Sequence, residues 1–273
     1  MADDFFRLQN YSLKSLAHEG IELNLSEIEN SFESLNLKSI AQHLVTHTPE
    51  NVYFIKDSTS VVAILPPFVW LTGEVSPDLL PHILKTSNRA LHFIPSSPWQ
   101  EYFTNETNQK NFRIKAHHRY SFNHHKVEEQ NLSEILRALP DNYELKPLSG
   151  AEVDFLLQNP SHFQSQFHIV SYGSKESFLD KGFGIGLHHG SNLVGAASSA
   201  ATGNNSIEIQ VDIIEAYRNK GLSKYVSAAL IKESLNRGIE PMWDAASEIS
   251  KNLALSLGYE LTGTYQVFEL TEP

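Results

Sequence analysis

The chain has no cysteine among its 273 residues. Disulfides, thiolate metal sites and a cysteine nucleophile are therefore excluded. It also lacks a long apolar run. The most hydrophobic stretch, Ser60 to Gly73, is too short to span a bilayer and carries Pro66-Pro67. It reads as one buried strand followed by a turn. Positive charge is scarce: 21 Lys and Arg face 32 Asp and Glu, for a net charge of −11. Such a surface does not suit general nucleic-acid binding, which needs many phosphate contacts. The opening MADDFFRLQN is acidic and polar, unlike a signal peptide. These features set the expectation of a cytoplasmic protein without membrane or nucleic-acid partners. No Gly-x-Ser-x-Gly elbow is present either, which argues against a serine hydrolase.

What the chain does have is organised around Ile207 to Gly238. Ile207, Ile209, Val211 and Ile213 alternate with Glu208, Gln210 and Asp212, the period of a strand with one apolar face. Tyr217 to Ser223 is a short basic turn with one glycine. Leu222, Tyr225, Val226, Ala229 and Leu230 then form a helical stripe, widened by Ala228, Ile231 and Leu235. Gly238 stands where a glycine would end that helix. From Arg218 to Arg237 five basic residues oppose only Glu233, net +4 in an acidic chain. A strand, a basic glycine turn and a buried helix make an anion site. The first helical amides have no partner within the helix, and a glycine lets a phosphate approach them. A phosphorylated ligand is the natural reading.

Elsewhere the chain carries both element types. Polar helices are expected over residues 1 to about 50, with Ser26 and Glu29 at capping-box spacing and a short helix over Ser39 to His47. Val52 to Ile55 and Val61 to Leu65 read as a hairpin, Pro77 to Lys85 as a helix, and Ala90 to Ile94 as a strand. A helix starts at Trp99, and Asn111 to Phe122 is extended. Asn131 to Leu139 reads as a helix or linker, Tyr143 to Leu148 as a strand, and Ser149 to Leu157 as a helix. Strands follow over Gly182–His188, Leu193–Thr202 and Ile207–Ile213. The expected domains are 1–130, a linker over 131–142, and 143–273. The second has the order β, α, β, β, β, α, β, α, β, a mixed α/β sheet antiparallel in its first half.

The turn Arg218-Asn219-Lys220-Gly221-Leu222-Ser223 resembles the cofactor loop of GNAT superfamily N-acetyltransferases, Arg/Gln-x-x-Gly-x-Gly/Ala, with Ser223 at the last small position. With Pro241-Met242-Trp243-Asp244-Ala245 and Leu257-Gly258-Tyr259, the chain also resembles the zwittermicin A resistance-type acetyltransferases, best from Tyr143 onward. The resemblance implies a GNAT-like mixed sheet flanked by helices. It allows the first half to be an accessory α/β domain, a degenerate copy of the same fold without an Arg-x-x-Gly loop. It implies acetyl-CoA as cosubstrate, no metal, and transfer to a small-molecule amine by direct attack, with the acceptor between the two halves. The alternative is a non-catalytic CoA-binding or regulatory module. Neither monomer nor homodimer is favoured.

By the same resemblance Val211 and Ile213 offer backbone to the thioester and pantetheine arm, from a bulge over Gln210 to Ile213. Arg218, Asn219, Lys220, Gly221, Leu222 and Ser223 hold the pyrophosphate, and Ser250 joins the cofactor side. Glu208 is the expected base, with Asp212 next; Asp244 binds substrate or caps a helix. The family's usual acid is a tyrosine in Asn-x-x-Ala-x-x-Leu-Tyr-x-x-x-Gly-Phe. Here Ala254 stands at the tyrosine, Ser247 at the asparagine and Ser250 at the alanine. Ser250, Tyr265 or a water replaces the acid, or the thiolate leaves unprotonated. His117, His118, His124 and His125 form a dense cluster, but on a strand at most two converge and no carboxylate brackets them at metal-ligand spacing, so surface or substrate-side histidines rather than a zinc site are expected there. His188 and His189 flank a turn and are expected to be exposed.

Overall fold

The computed structural model describes residues 43, 52–54, 59–65, 67–85, 90–108, 112–159, 166–203 and 205–271. The helices expected before residue 51 lie outside this set, apart from His43, which is helical. No helix among the described residues is long and apolar enough to cross a membrane.

The chain forms two compact units, one of residues 120–263 and one of 3–119 with 264–273. Two strands, β5 (Arg113–Asn123) and β12 (Glu260–Thr271), contribute residues to both. The sequence assigns 131–142 to a linker and everything from 143 onward to one domain. Within residues 120–263, however, the helix α3 (Glu129–Arg137) buries Leu132 completely and Ile135 nearly so, in the same cluster as Val226 and Leu230. The linker residues thus pack into a core, and the last ten residues cluster with the first part of the chain. Leu132→Ala is expected to cost about 2–5 kcal/mol, the usual range for a fully buried leucine, seen as a lower midpoint in a chemical unfolding curve. A solvated linker would leave the midpoint unchanged.

In the unit of residues 3–119 and 264–273, β1 (Val52–Phe54) pairs with β2 (Val61–Leu65). β2 pairs with β3 (Phe68–Thr72), and β3 runs parallel to β4 (Leu91–Pro95). β4 pairs with β12 through Phe268↔Phe93 and Glu269↔His92, and β5 lies next to β12. The stretch read as one strand and a turn is therefore a β2–β3 hairpin. Pro67 lies in the turn between the two strands. Val62, Ile64, Val69, Leu71, Phe93 and Phe268 make one face, packed with Trp99 and Phe103 of α2 (Ser97–Thr104).

The unit of residues 120–263 holds a five-stranded sheet in the order β10-β9-β8-β7-β6. Its strands are β6 (Tyr143–Pro147), β7 (Gly184–His189), β8 (Asn192–Thr202), β9 (Ser206–Ile213) and β10 (Glu240–Met242). The first four are antiparallel neighbours, and β10 runs parallel to β9. The odd residues of β9 pack under the 15-residue helix α7 (Leu222–Asn236) and α3. The opposite face is covered by α4 (Gly150–Gln158), α5 (Gln166–Ile169) and α6 (Lys175–Lys181), through Val153, Leu156, Ile169 and Phe178. α5 and α6 are absent from the sequence reading. They are one or two turns long and carry no apolar repeat long enough to show a 3.6-residue period.

Candidate active site

β9 has different neighbours along its length. β10 pairs with it only from Ser206 to Glu208, whereas β8 continues to Ile213. Past Glu208 one edge of β9 has left its neighbour. The amide of Ile214 donates to the carbonyl of Val194. In an antiparallel ladder backbone direction alternates, so Gln210 and Asp212 turn their amides to β8 while Val211 and Ile213 turn theirs to the open edge. The guanidinium Nε of Arg218 donates to the Ile213 carbonyl at 2.9 Å, as that direction requires. The bulge expected over Gln210 to Ile213 is not there. The register slips instead in β8, between Ser199 and Ala201 opposite Ile209 and Glu208. The open edge comes from the departure of β10, not from an extra residue in β9.

The turn after β9 ends in two left-handed residues, Asn219 (φ 61°) and Gly221 (φ 72°). Gly221 is the N-cap of α7 and bonds nothing through a side chain. Among the described residues, the amides of Asn219 to Ser223 donate to no acceptor. Arg218, Asn219, Lys220 and Gly221 are exposed, whereas Leu222 is buried and anchors the first turn of the helix; Ser223 is half-buried. The Lys220 ammonium lies 4.9 Å from the centre of the Tyr217 ring. The far end of α7 closes in a Schellman motif: Ile239 N–H reaches the Ser234 carbonyl and Gly238, at φ 70°, reaches Leu235.

The even face of β9 carries the carboxylates. Glu208 is buried, and its Oε1 accepts the Asp244 amide at 3.1 Å, just past the last β10 residue. Asp212 is partly exposed. Its Oδ2 accepts from Gln210 Nε2 at 2.9 Å and lies 3.2 Å from His168 Nε2. His168 Nδ1 lies 2.6 Å from the Ser198 hydroxyl. His168 and Ser198 are both fully buried. A neutral imidazole that donates from Nε2 to Asp212 and accepts the Ser198 proton at Nδ1 satisfies all three groups. The chain Ser198–His168–Asp212 reaches solvent only at its carboxylate. Sequence reasoning named Asp212 but missed His168 and Ser198. His168 sits on a four-residue helix, and Ser198 is one small residue in a run of them.

The acid positions differ from the expected pattern for a visible reason. Ala254 is fully buried in the core, on α8 (Glu248–Ser256). That helix ends in a second Schellman motif, with Tyr259 N–H on the Ala254 carbonyl and Gly258 at φ 99°. This explains the Leu257-Gly258-Tyr259 signature in backbone terms. Ser247 caps α8 through the Ser250 amide, and the Ser250 hydroxyl accepts the Trp243 indole N–H at 3.2 Å. Tyr259 is buried and donates to the Pro241 carbonyl; burial, with the Glu208 charge adding to it, pushes its pKa well up. Burial likewise pushes Tyr172, which donates to the Ser199 carbonyl, up to about 12. Tyr265 belongs to the other unit. His188 is buried rather than exposed, 2.5 Å from Glu152, because β7 points it under the N-terminus of α4. His189 lies at the edge beside Tyr217, at 3.2 Å.

The family model for GNAT acetyltransferases matches residues 26–268. A GCN5-related N-acetyltransferase-like protein from Streptococcus suis 89/1591 is 30% identical, with a TM-score of 0.68 over 78% of this chain and 84% of that one. A tandem GNAT protein from the clavulanic acid biosynthesis pathway shares the fold at 16% identity and a TM-score of 0.52, over 78% of each chain. The uncharacterized N-acetyltransferase YdfB of Bacillus subtilis (strain 168) is 29% identical over 115 residues, 41% of this chain and 44% of that relative. The match thus spans less than half the length of YdfB. With the open edge of β9, the glycine turn and the helix behind it all inside the matched region, the chain belongs to the GNAT acetyltransferase family.

Proposed function

We propose that this protein transfers the acetyl group of acetyl-CoA to a small-molecule amine by direct attack. The observation that carries the reading is the run of unpartnered amides from Asn219 to Ser223. They open a 15-residue helix flanked by Arg218, Lys220 and Lys224. A pyrophosphate there meets amide donors, the positive end of the helix dipole and three cations together. Val211 and Ile213 would offer backbone groups of the open edge to the pantetheine arm and the thioester. The amine nitrogen attacks the thioester carbon, the tetrahedral oxyanion collapses, and the C–S bond breaks to release CoA. The ammonium proton goes to a carboxylate on the even face of β9, either Asp212 or Glu208.

Ala254, deep in the core, supplies no proton to the departing thiolate. That favours either an unprotonated leaving group, feasible for a thiol, or the second reading, a CoA-binding module without turnover. Two measurements separate these readings. Acetyl-CoA should raise the melting temperature, since binding only the native state adds about 2.7 kcal/mol at a hundredfold excess over the dissociation constant. No shift at millimolar acetyl-CoA, with the protein folded, overturns both readings. Release of free CoA thiol with a panel of primary amines and polyamines then distinguishes transfer from binding alone.

A further inference from the structure

The unit of residues 3–119 and 264–273 brings together three side chains far apart in sequence. His92 is on β4, Glu269 faces it directly across the β4–β12 ladder, and His117 is on β5, the next strand. One ligand atom from each lies within 4.8 Å of the other two. His117 Nε2 is 3.0 Å from Glu269 Oε2, and the two imidazole rings stand nearly perpendicular, 5.6 Å apart. All three residues are half-buried. The sequence cluster His117, His118, His124 and His125 thus gives one member to a group whose other members the sequence could not supply.

A simple ion pair accounts for His117 and Glu269 but not for His92. Its Nδ1 is buried without a hydrogen-bond partner, and a buried polar atom left unpaired is destabilising. We propose that His92, His117 and Glu269 bind a divalent first-row transition cation of the Zn2+ kind. Two imidazoles and one carboxylate are a ligand set suited to such ions, with positions left for water. Mg2+ and Ca2+ prefer all-oxygen sites. At Zn–N and Zn–O distances of about 2.0–2.2 Å, ligand atoms of a tetrahedral site sit roughly 3.3 Å apart. The His117–Glu269 pair already meets this. The His92 ligand atom lies within 4.8 Å of both, on a strand paired on both sides. The Arg119 guanidinium, 5.3 Å from the Phe68 ring centre beside His92, opposes a dication. It limits affinity and favours an anion or hydroxide at the open position.

The chain has 13 histidines, so stoichiometry alone would not locate the site. The test titrates EDTA-treated full-length protein with Zn2+ and Co2+ by calorimetry, alongside the visible spectrum of bound Co2+. One equivalent should bind. H92A and E269Q should each weaken it at least about tenfold and alter the Co2+ spectrum. The H124A/H125A double variant should bind as wild type does. A melting temperature raised by Zn2+ and restored by EDTA is an independent readout if either variant folds poorly. No stoichiometric binding, or equal affinity in all variants, overturns the assignment. Acetyl-CoA binding is not involved in either outcome.

Discussion

Valine at Gly221 is expected to raise the dissociation constant for acetyl-CoA at least about tenfold while leaving the protein folded. Two facts separate those effects. A Cβ built at Gly221 meets nothing within 4 Å, so no neighbour inside the protein is displaced. The backbone is nevertheless left-handed, at φ 72°. A β-branched residue there costs on the order of 1–3 kcal/mol, read as a melting temperature lower by a few degrees. The larger loss falls on the ligand. The open space at Gly221 is where a phosphate must come to reach the amides of Gly221, Leu222 and Ser223, and a branched side chain stands in that path. Calorimetry with acetyl-CoA, after circular dichroism confirms the fold, checks this. Gly221→Ala should fall between the two. Wild-type affinity in a folded Gly221→Val protein would move the pyrophosphate site away from this turn.

Asn219 shows why the turn was legible before the fold. Asparagine and glycine tolerate the left-handed region better than other residues, and both sit here between an alternating strand and a helical stripe. The Schellman end at Gly238 was readable for the same reason: the backbone conformation it needs leaves a residue-type mark. The open edge of β9 was not readable. It depends on where β10 stops pairing, and Glu240 to Met242 is too short to show a period. The register slip lies in a run of alanines and serines, Ala196 to Ala201, whose side chains do not distinguish one face from the other. His168 was invisible because what defines it, the contacts with Ser198 and Asp212, crosses 30 and 44 positions of sequence. His92 and Glu269 meet for the same reason, through strands paired far along the chain. Helix α3 read as a helix or linker because six of its nine residues are polar. Its burial comes from Leu132 and Ile135, two residues a turn apart.

Between the two candidate carboxylates, Asp212→Asn should lower turnover by about 10²–10⁴-fold, the range for general-base catalysis, with acetyl-CoA affinity nearly unchanged. Glu208→Gln should do much less. Glu208 is buried, and its Oε1 already accepts the Asp244 amide where β10 ends; the glutamine oxygen can accept that same bond. Asp212 is somewhat more open, its side chain 11% exposed, and its Oδ2 is engaged by Gln210 and His168, which orient the carboxylate. A base must take a proton from an incoming ammonium, so access decides between them. The sign of the pH dependence gives a second reading. Below the pKa of an alkyl amine, about 10, the share of neutral amine rises roughly tenfold per pH unit. A variant without its base depends on that share alone, so the deficit of Asp212→Asn should shrink as pH rises. The measurement is CoA release against pH for both variants at saturating acetyl-CoA. A large, pH-dependent loss in Glu208→Gln with none in Asp212→Asn would make Glu208 the base. Wild-type rates in both would mean that neither carboxylate takes the proton, and that the amine reaches the thioester already neutral.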